Sequence, residues 1–425
     1  MKTLLTNARI LKMTGEPIFN GDLVVNENRI EYVGEAGGYK GEVDEKIDCE
    51  ENLIMPGFKN THAHSAMVFL RSHADDLKLQ DWLFEQVFPY EDLLEPNDIY
   101  WLSQLAFLEY LTSGITAASD MYFYPEEIKR AAEDFGFRET ILLMPDGTEE
   151  SSEKCIELYE KNNDEDLGKY LIGMHAEYTA SEEKLVVVLD VIRRLKAPFY
   201  THLSETEEEN EGCKERREGK TPAEFFESKG FFEYGGGLYH CCHVTKKDLE
   251  IFKKRNLSVT TCPSSNLKLA SGIAEVEKMR EMGINLAIGT DGAASNNCLD
   301  MFREMFLVTG LQKVKLKDSA VMPAEEVLKM ATVGGARAIG LDDTDVLECG
   351  KKADLIMIDL KRPNMQPIHD IVKNLVYAGS KENVKMTMID GKILYRDGEF
   401  KTKYTAERIY AECEKITRRI IEAKI

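Results

Sequence analysis

Apolar and polar positions alternate in short runs over the first 54 residues. "LLTNARILKM", "GDLVVNENRIEYVGE" and "GEVDEKIDCEE" break at glycine and asparagine, which predicts short strands. The same texture returns late in "ADLIMIDL", "NLVYAG" and "VKMTMIDGKILYRDGEF". The two chain ends are therefore expected to fold together as one small β domain. The last stretch, "YTAERIYAECEKITRRIIEAKI", spaces its apolar residues at helical intervals and predicts a terminal helix.

Between residues 54 and 345 the pattern changes. Short apolar runs end in polar residues, and stretches with helical spacing lie between or after them. The candidate strands are "NLIMPGFKNTHAH", "ITAASDMYF", "ETILLMP", "YLIGMHAEY", "PFYTHLSE", "GLYHCCHV", "LSVTTCPSSN" and "INLAIGTDGA". Helical stretches include "LQDWLFEQVF", "PEEIKRAAEDFG", "SEEKLVVVLDVIRRLK", "KKDLEIFKKRN", "IAEVEKMREMG" and "DMFREMFLVTGLQ". Eight strands alternating with helices predict an α/β fold closed as a (β/α)8 TIM-type barrel. A doubly wound open sheet is the alternative, and it would usually have fewer strands. The expected division is a small β-sandwich domain begun by residues 1–54, a barrel over 55–345, the rest of the small domain over 346–400, and a helix over 401–425. The run "SETEEENEGCKERREGK" reads as a mixed-charge helix or loop with a solvated face.

Composition narrows the partners. The formal net charge is -21, which disfavours nucleic acid and anionic membrane. No run approaches ~18 apolar residues, so no membrane span is expected. The N-terminus lacks the apolar core and cleavage site of a secretion signal. Nine scattered cysteines without a C-x-x-C predict reduced thiols and a cytoplasmic location. The missing C-x-x-C also argues against nucleobase deaminases whose zinc is held by cysteines.

The segment "MPGFKNTHAHSAM" places His62 and His64 one residue apart. On a strand, such residues point to one side, here at the end where barrel active sites lie. Alone, the pair reads equally as exposed or core histidines. The chain has eight histidines, and His175, His202 and His240 fall at the ends of candidate strands four, five and six. Asp291 ends strand eight in "AIGTDGAAS". Imidazoles and a carboxylate suit a borderline divalent ion such as zinc, and three histidines with one aspartate leave a position open for water. Glu205 follows His202 by three residues and is a candidate proton shuttle, or else a solvated loop carboxylate.

These segments together resemble the amidohydrolase superfamily, specifically its 5-methylthioadenosine/S-adenosylhomocysteine deaminase family. "MPGFKNTHAHSAM" looks like the family's first metal motif, "LQDWLFEQVFPYE" like its segment after strand one, "CPSSNLKLASGIA" and "GTDGAASNNCLDMFREM" like its strand-seven and strand-eight motifs, and "GKKADLIMIDL" like the return to the small domain. The resemblance implies that His62, His64, His202 and Asp291 are metal ligands, Glu205 the proton shuttle and His240 the histidine that stabilises the oxyanion. It implies that Glu91 binds ribose hydroxyls, that His175 binds substrate and that Trp82 lies near the purine, with simple core packing as the alternative for that indole. Strand four has no lysine of the bridging kind, so one metal is expected: zinc, with iron or manganese as alternatives.

The implied reaction is hydrolytic deamination of an adenine nucleoside. Asp291 takes a proton from the attacking water, Glu205 protonates the ring nitrogen beside C6, and ammonia leaves. The partner is a small molecule, and the family often assembles as homodimers or homotetramers. In members that accept S-adenosylhomocysteine, arginines after strand three can help hold its polar tail. Here no arginine occurs between Arg138 and Arg193, and Leu143 and Met144 are apolar. A preference for 5'-deoxyadenosine, methylthioadenosine or adenosine over S-adenosylhomocysteine is therefore expected. The rival readings are a hydrolase of a free base (guanine, a pterin, cytosine or a triazine), for which Glu91 would lack a purpose, a dihydroorotase-type amide hydrolase, and a non-catalytic metal-binding protein.

Overall fold

Eight short strands run parallel, each hydrogen-bonded to the next in chain order: Phe58–His64, Ile115–Asp120, Arg138–Leu143, Gly168–Met174, Phe199–Leu203, Gly236–His240, Ser258–Thr261 and Asn285–Ile288. The structure, a computed structural model, describes residues 1–73, 75–162 and 167–424. A two-residue continuation of the eighth strand, Asp291–Gly292, pairs with Ala63 and His64 of the first. The ladder therefore returns to its start. This is the predicted (β/α)8 barrel; an open sheet would leave two edges. The strands are buried almost throughout because helices cover their outer faces.

Closure needs local help where strand eight breaks. A Cβ at Gly289 would lie 2.8 Å from that of His62, so only glycine lets the strands approach there. The Asn60 side chain accepts from the Thr290 backbone N–H at 2.8 Å and donates to Thr290 Oγ1 at 2.7 Å. Thr61 Oγ1 donates to the Ile288 carbonyl at 3.0 Å.

The helices follow from caps and apolar stripes. Helix Glu182–Leu195 starts where Ser181 accepts from the Lys184 N–H, and it buries Leu185, Val188, Val191 and Ile192. Helix Lys246–Lys254 starts with a Thr245/Asp248 capping box. The terminal helix, Ala406–Glu422, buries Ile409, Cys413, Ile416 and Ile420 on one face. Helix Pro96–Thr112, between strands one and two, was not among the predicted elements. It packs against both Pro125–Phe135 and the terminal helix, so its apolar residues circle it and blur the helical period.

Nine further strands from both chain ends form one mixed sheet with a core of its own, including Leu5, Ile10, Leu23, Leu355 and Met386. Its seam is Leu53–Pro56 paired antiparallel with Leu355–Ile358. The run "NLIMPGFKNTHAH" is thus two strands: Leu53–Pro56 in this sheet and Phe58–His64 in the barrel, turning at Gly57. "NLVYAG" lies mostly in helix Ile371–Tyr377, capped by Asp370, rather than in a strand. Its run is too short to show a period, and Ile371 and Leu375 are one helical turn apart.

Arg138 joins the two sheets. Its guanidinium, at the start of strand three, is 2% exposed and donates to Asp354 at 2.6 and 3.0 Å and to Asp390 at 3.1 Å. Among the described residues no helix is long and apolar enough to cross a membrane.

Candidate active site

Strands one, four, five, six and eight deliver polar side chains to one cluster at their C-terminal ends. His62 and His64 come from strand one, His175 follows strand four, His202 lies in strand five, His240 ends strand six and Asp291 follows strand eight. The His62 ring centroid is 4.9 Å from His64, 4.7 Å from His202 and 5.5 Å from His240. Asp291 Oδ1 is 3.4 Å from His62 Nε2 and 3.2 Å from His64 Nε2. His240 and Asp291 adopt left-handed backbone, φ 66° and 58°. Such strain costs about 1–3 kcal/mol per residue and concentrates at functional sites.

The surrounding bonds fix which atoms face inward. The Met121 carbonyl sits 2.6 Å from His64 Nδ1, and the His175 carbonyl sits 2.7 Å from His202 Nδ1. A carbonyl only accepts, so both Nδ1 atoms carry a proton, which leaves Nε2 of each ring as the atom open to a metal ion. Asp291 Oδ2 accepts from Ser265 Oγ at 2.6 Å and Ser295 Oγ at 2.9 Å. His240 Nδ1 lies 2.8 Å from Asn266 Oδ1. Across the cavity, Glu205 Oε1 accepts from Ser271 Oγ at 2.9 Å, which leaves Oε2 facing His240 Nε2 at 3.9 Å. The loop carrying Glu205 is clamped by Glu209, which accepts the backbone N–H groups of Ser204 and Glu205 at 2.8 Å each.

The electrostatics follow from burial. Desolvation pushes His62 down to about 3 and His202 well below the ordinary imidazole range, so both are neutral donors. For His64, burial acts downward, but hydrogen bonding to Asp291 and its charge carry the ring up to about 9. Burial likewise opposes ionisation of Asp291, yet its imidazole neighbours hold it well below the usual carboxylate range. A carboxylate buried among imidazoles calls for a cation. His62 adds a further sign: both of its ring nitrogens are buried without a hydrogen-bond partner. Donor atoms of His62, His64, His202 and Asp291 lie within 4.8 Å of one another. Three nitrogens and one oxygen at that spacing fit a divalent metal ion.

His175 and Glu91, of the remaining predicted residues, lie beside this cluster, while Trp82, among the described residues, makes no contact with it. His175, at the rim, has its ring 4.7 Å from His202. Glu91 is buried and accepts from Tyr122 OH at 2.6 Å, and the Tyr122 ring is 6.3 Å from His64. Burial raises the Glu91 carboxyl. Trp82 is buried in a widened helical turn, Trp82–Val87, with its indole Nε1 unpartnered. Among the described residues no ring contact or hydrogen bond joins Trp82 to the histidines. Arg138 lies at the opposite end of the barrel, held by Asp354, so it has no part at this mouth. Leu143 belongs to the main apolar core, while Met144 packs on the cluster containing Tyr239, whose ring stacks on His62 at 3.9 Å.

The run "SETEEENEGCKERREGK" forms helix Glu207–Arg216, and Arg216 lines a cleft of about 270 Å³ with Leu79, Tyr178, Glu205 and Glu208. Arg216 and Arg217 are both tied to buried Glu177 at 2.6 Å. Sequence reasoning did not single out Ser265, Asn266, Ser271, Ser295, Tyr122 or Glu209. A signal did exist for three of them: hydroxyl and amide residues crowd "CPSSNLKLASG", directly after strand seven.

A model of the amidohydrolase family matches residues 53–394. The chain belongs to this family. The amidohydrolase is 40% identical over 423 residues to a 5-methylthioadenosine/S-adenosylhomocysteine deaminase of Moorella thermoacetica, covering 97% of this chain and 98% of that one. It is 39% identical over 402 residues to a 5'-deoxyadenosine deaminase of Methanosarcina acetivorans, covering 92% of each. Its fold superposes on a crystal structure of an adenosine deaminase from Xanthomonas campestris with bound zinc, at a TM-score of 0.93 and 28% identity, over 99% and 98% of the two chains.

Proposed function

We propose that this amidohydrolase deaminates adenine nucleosides hydrolytically, releasing ammonia and an inosine-type product. Its substrates are 5'-methylthioadenosine, 5'-deoxyadenosine, adenosine and S-adenosylhomocysteine. The observation that carries the reading is Glu205, an acid held by Ser271 with its free oxygen turned to His240, beside the ligand cluster. A structural metal site has no use for such a group. The full-length likeness to deaminases of adenine nucleosides supports the same reading.

His62, His64, His202 and Asp291 would hold one divalent ion; the donor set suits zinc, and iron or manganese could take the same donors. When bound, the ion acidifies a water and so supplies the nucleophile at neutral pH. Asp291 accepts the proton of the attacking water on its carboxylate and gives it to the amino group, which leaves C6 as ammonia; the C6 hydroxyl proton returns to Glu205 as the carbonyl forms. Glu205 Oε2 delivers a proton to the ring nitrogen beside C6, so negative charge does not accumulate on the purine. Burial opposes protonation of His240, but Glu205, Asp291 and the Asn266 hydrogen bond hold it above the ordinary value. As an imidazolium, with Nδ1–H given to Asn266 Oδ1, it would turn Nε2–H to the oxygen forming at C6. Glu91, with Tyr122, receives the ribose hydroxyls, and the unpartnered Trp82 N–H is a donor near the base.

S-adenosylhomocysteine is included because Arg216 and Glu208 bring opposite charges to the cleft beside Glu205, complementing a zwitterionic tail. The test is ammonia release by zinc-loaded protein from the four nucleosides, with guanine and cytosine as controls. Release from nucleosides alone is expected, and kcat/KM values rank the 5'-groups. Release from free bases alone would overturn the reading. Glu205→Gln should keep its metal and lose about 10²–10⁴ in kcat; a variant turning over normally would remove Glu205 from its role.

A further inference from the structure

A second set of donors adjoins the first. Cys262 follows strand seven, wholly buried, and its Sγ, a nitrogen of His240 and a nitrogen of His62 lie within 4.8 Å of one another. His62 belongs to both sets, so the two are adjoining seats with a common wall. The first seat offers three imidazoles and a carboxylate, a match for borderline ions. The second offers two imidazoles and a sulfur and no carboxylate, a match for soft, thiophilic ions. It is also the deeper seat: His62, His240 and Cys262 are at most 1% exposed, whereas the His64 side chain is 12% exposed. Burial keeps the free Cys262 thiol neutral, so the sulfur stays idle until an ion displaces its proton to solvent.

We propose that His62, His240 and Cys262 form a second, inhibitory metal seat that captures thiophilic divalent ions such as cadmium. Capture has two consequences. It draws His62 away from the His64, His202 and Asp291 group. It also takes a nitrogen of His240, pulling the ring from its place between Asn266 and Glu205 and so from the oxygen at C6. Loss of one such donor lowers turnover by about 10²–10³.

The experiment uses full-length protein stripped of metal by chelation and reloaded with one equivalent of Cd²⁺, in a background where exposed Cys349 is replaced by serine. The expected result is a sulfur-to-cadmium charge-transfer band in the ultraviolet and deamination about 10²-fold below the zinc-loaded form. In Cys262→Ser the band should vanish, and the cadmium form should recover most of the activity of the same variant loaded with zinc. Cys262→Ala gives the same reading where the serine variant does not fold. A bound cadmium without the band, or a band unchanged in both variants, overturns the proposal. The inhibitory half rests on the deaminase reading, while the absorbance half needs no substrate, so the two failures are distinguishable.

Discussion

Ser271 decides which oxygen of Glu205 is free to work. Its hydroxyl occupies Oε1, and its own backbone is held where His243 Nε2 meets the Ser271 carbonyl at 2.5 Å. Ser271→Ala should release the carboxylate and lower kcat by about 10–100-fold, the equivalent of one hydrogen bond to a charged group, with KM little changed. Ser271→Thr should restore most of the loss. Steady-state kinetics on both variants check this, and a rise in KM alone would argue against the positioning role. The contact joins residues 66 apart in sequence, so no local pattern announces it. The candidate ligand cluster was legible because strand geometry turns i and i+2 to one side, and because four later polar residues, two of them in the cluster, each sit at a strand end. Arg138 shows the limit of that reading. No local pattern marks its role: it sits at the start of a strand, at the far end of the barrel, and its partners Asp354 and Asp390 lie more than 200 residues away in the chain.

The seam between strands one and eight is the element on which the site depends. Asn60 bridges it beside Thr61, with one bond accepted from Thr290 and one donated to it, and Asp291 comes next in the chain. Asn60→Ala should cost about 1–3 kcal/mol by leaving buried partners unsatisfied, measured as a lower urea midpoint. It should also weaken zinc binding by about tenfold, since groups that orient ligands matter nearly as much as the ligands. Normal zinc affinity in the variant would mean that Asp291 is held by Ser265 and Ser295 alone. Helix Glu207–Arg216 brings a further prediction. Arg216→Ala should reduce kcat/KM for S-adenosylhomocysteine more than for methylthioadenosine, and equal losses would exclude a role in holding the tail. The barrel was legible as an alternation of strands and helices. Helix Pro96–Thr112 was not, because burial on several faces erases the amphipathic period that identifies a helix.

For the whole molecule, Arg138 ties the two sheets together through Asp354 and Asp390. Breaking a buried pair from one side costs about 3–5 kcal/mol, and Arg138→Met should unfold at correspondingly lower denaturant. Burial alone would raise Asp354, but Arg138 and Lys59 hold it below the ordinary aspartate value. Its contribution is therefore complete above the unfolded value of about 3.9 and is lost as pH falls through the folded one. Unfolding free energy should drop over that acid window in the native chain, and the slope should flatten in Arg138→Met. The pairing of the chain ends across the seam has a bearing on time as well as on energy. Leu53–Pro56 leaves the ribosome about 300 residues before its partner Leu355–Ile358 is made. At about 5–20 residues per second that is a wait of roughly 15–60 s, during which a newborn chain carries an open strand edge and the barrel must take shape beside it.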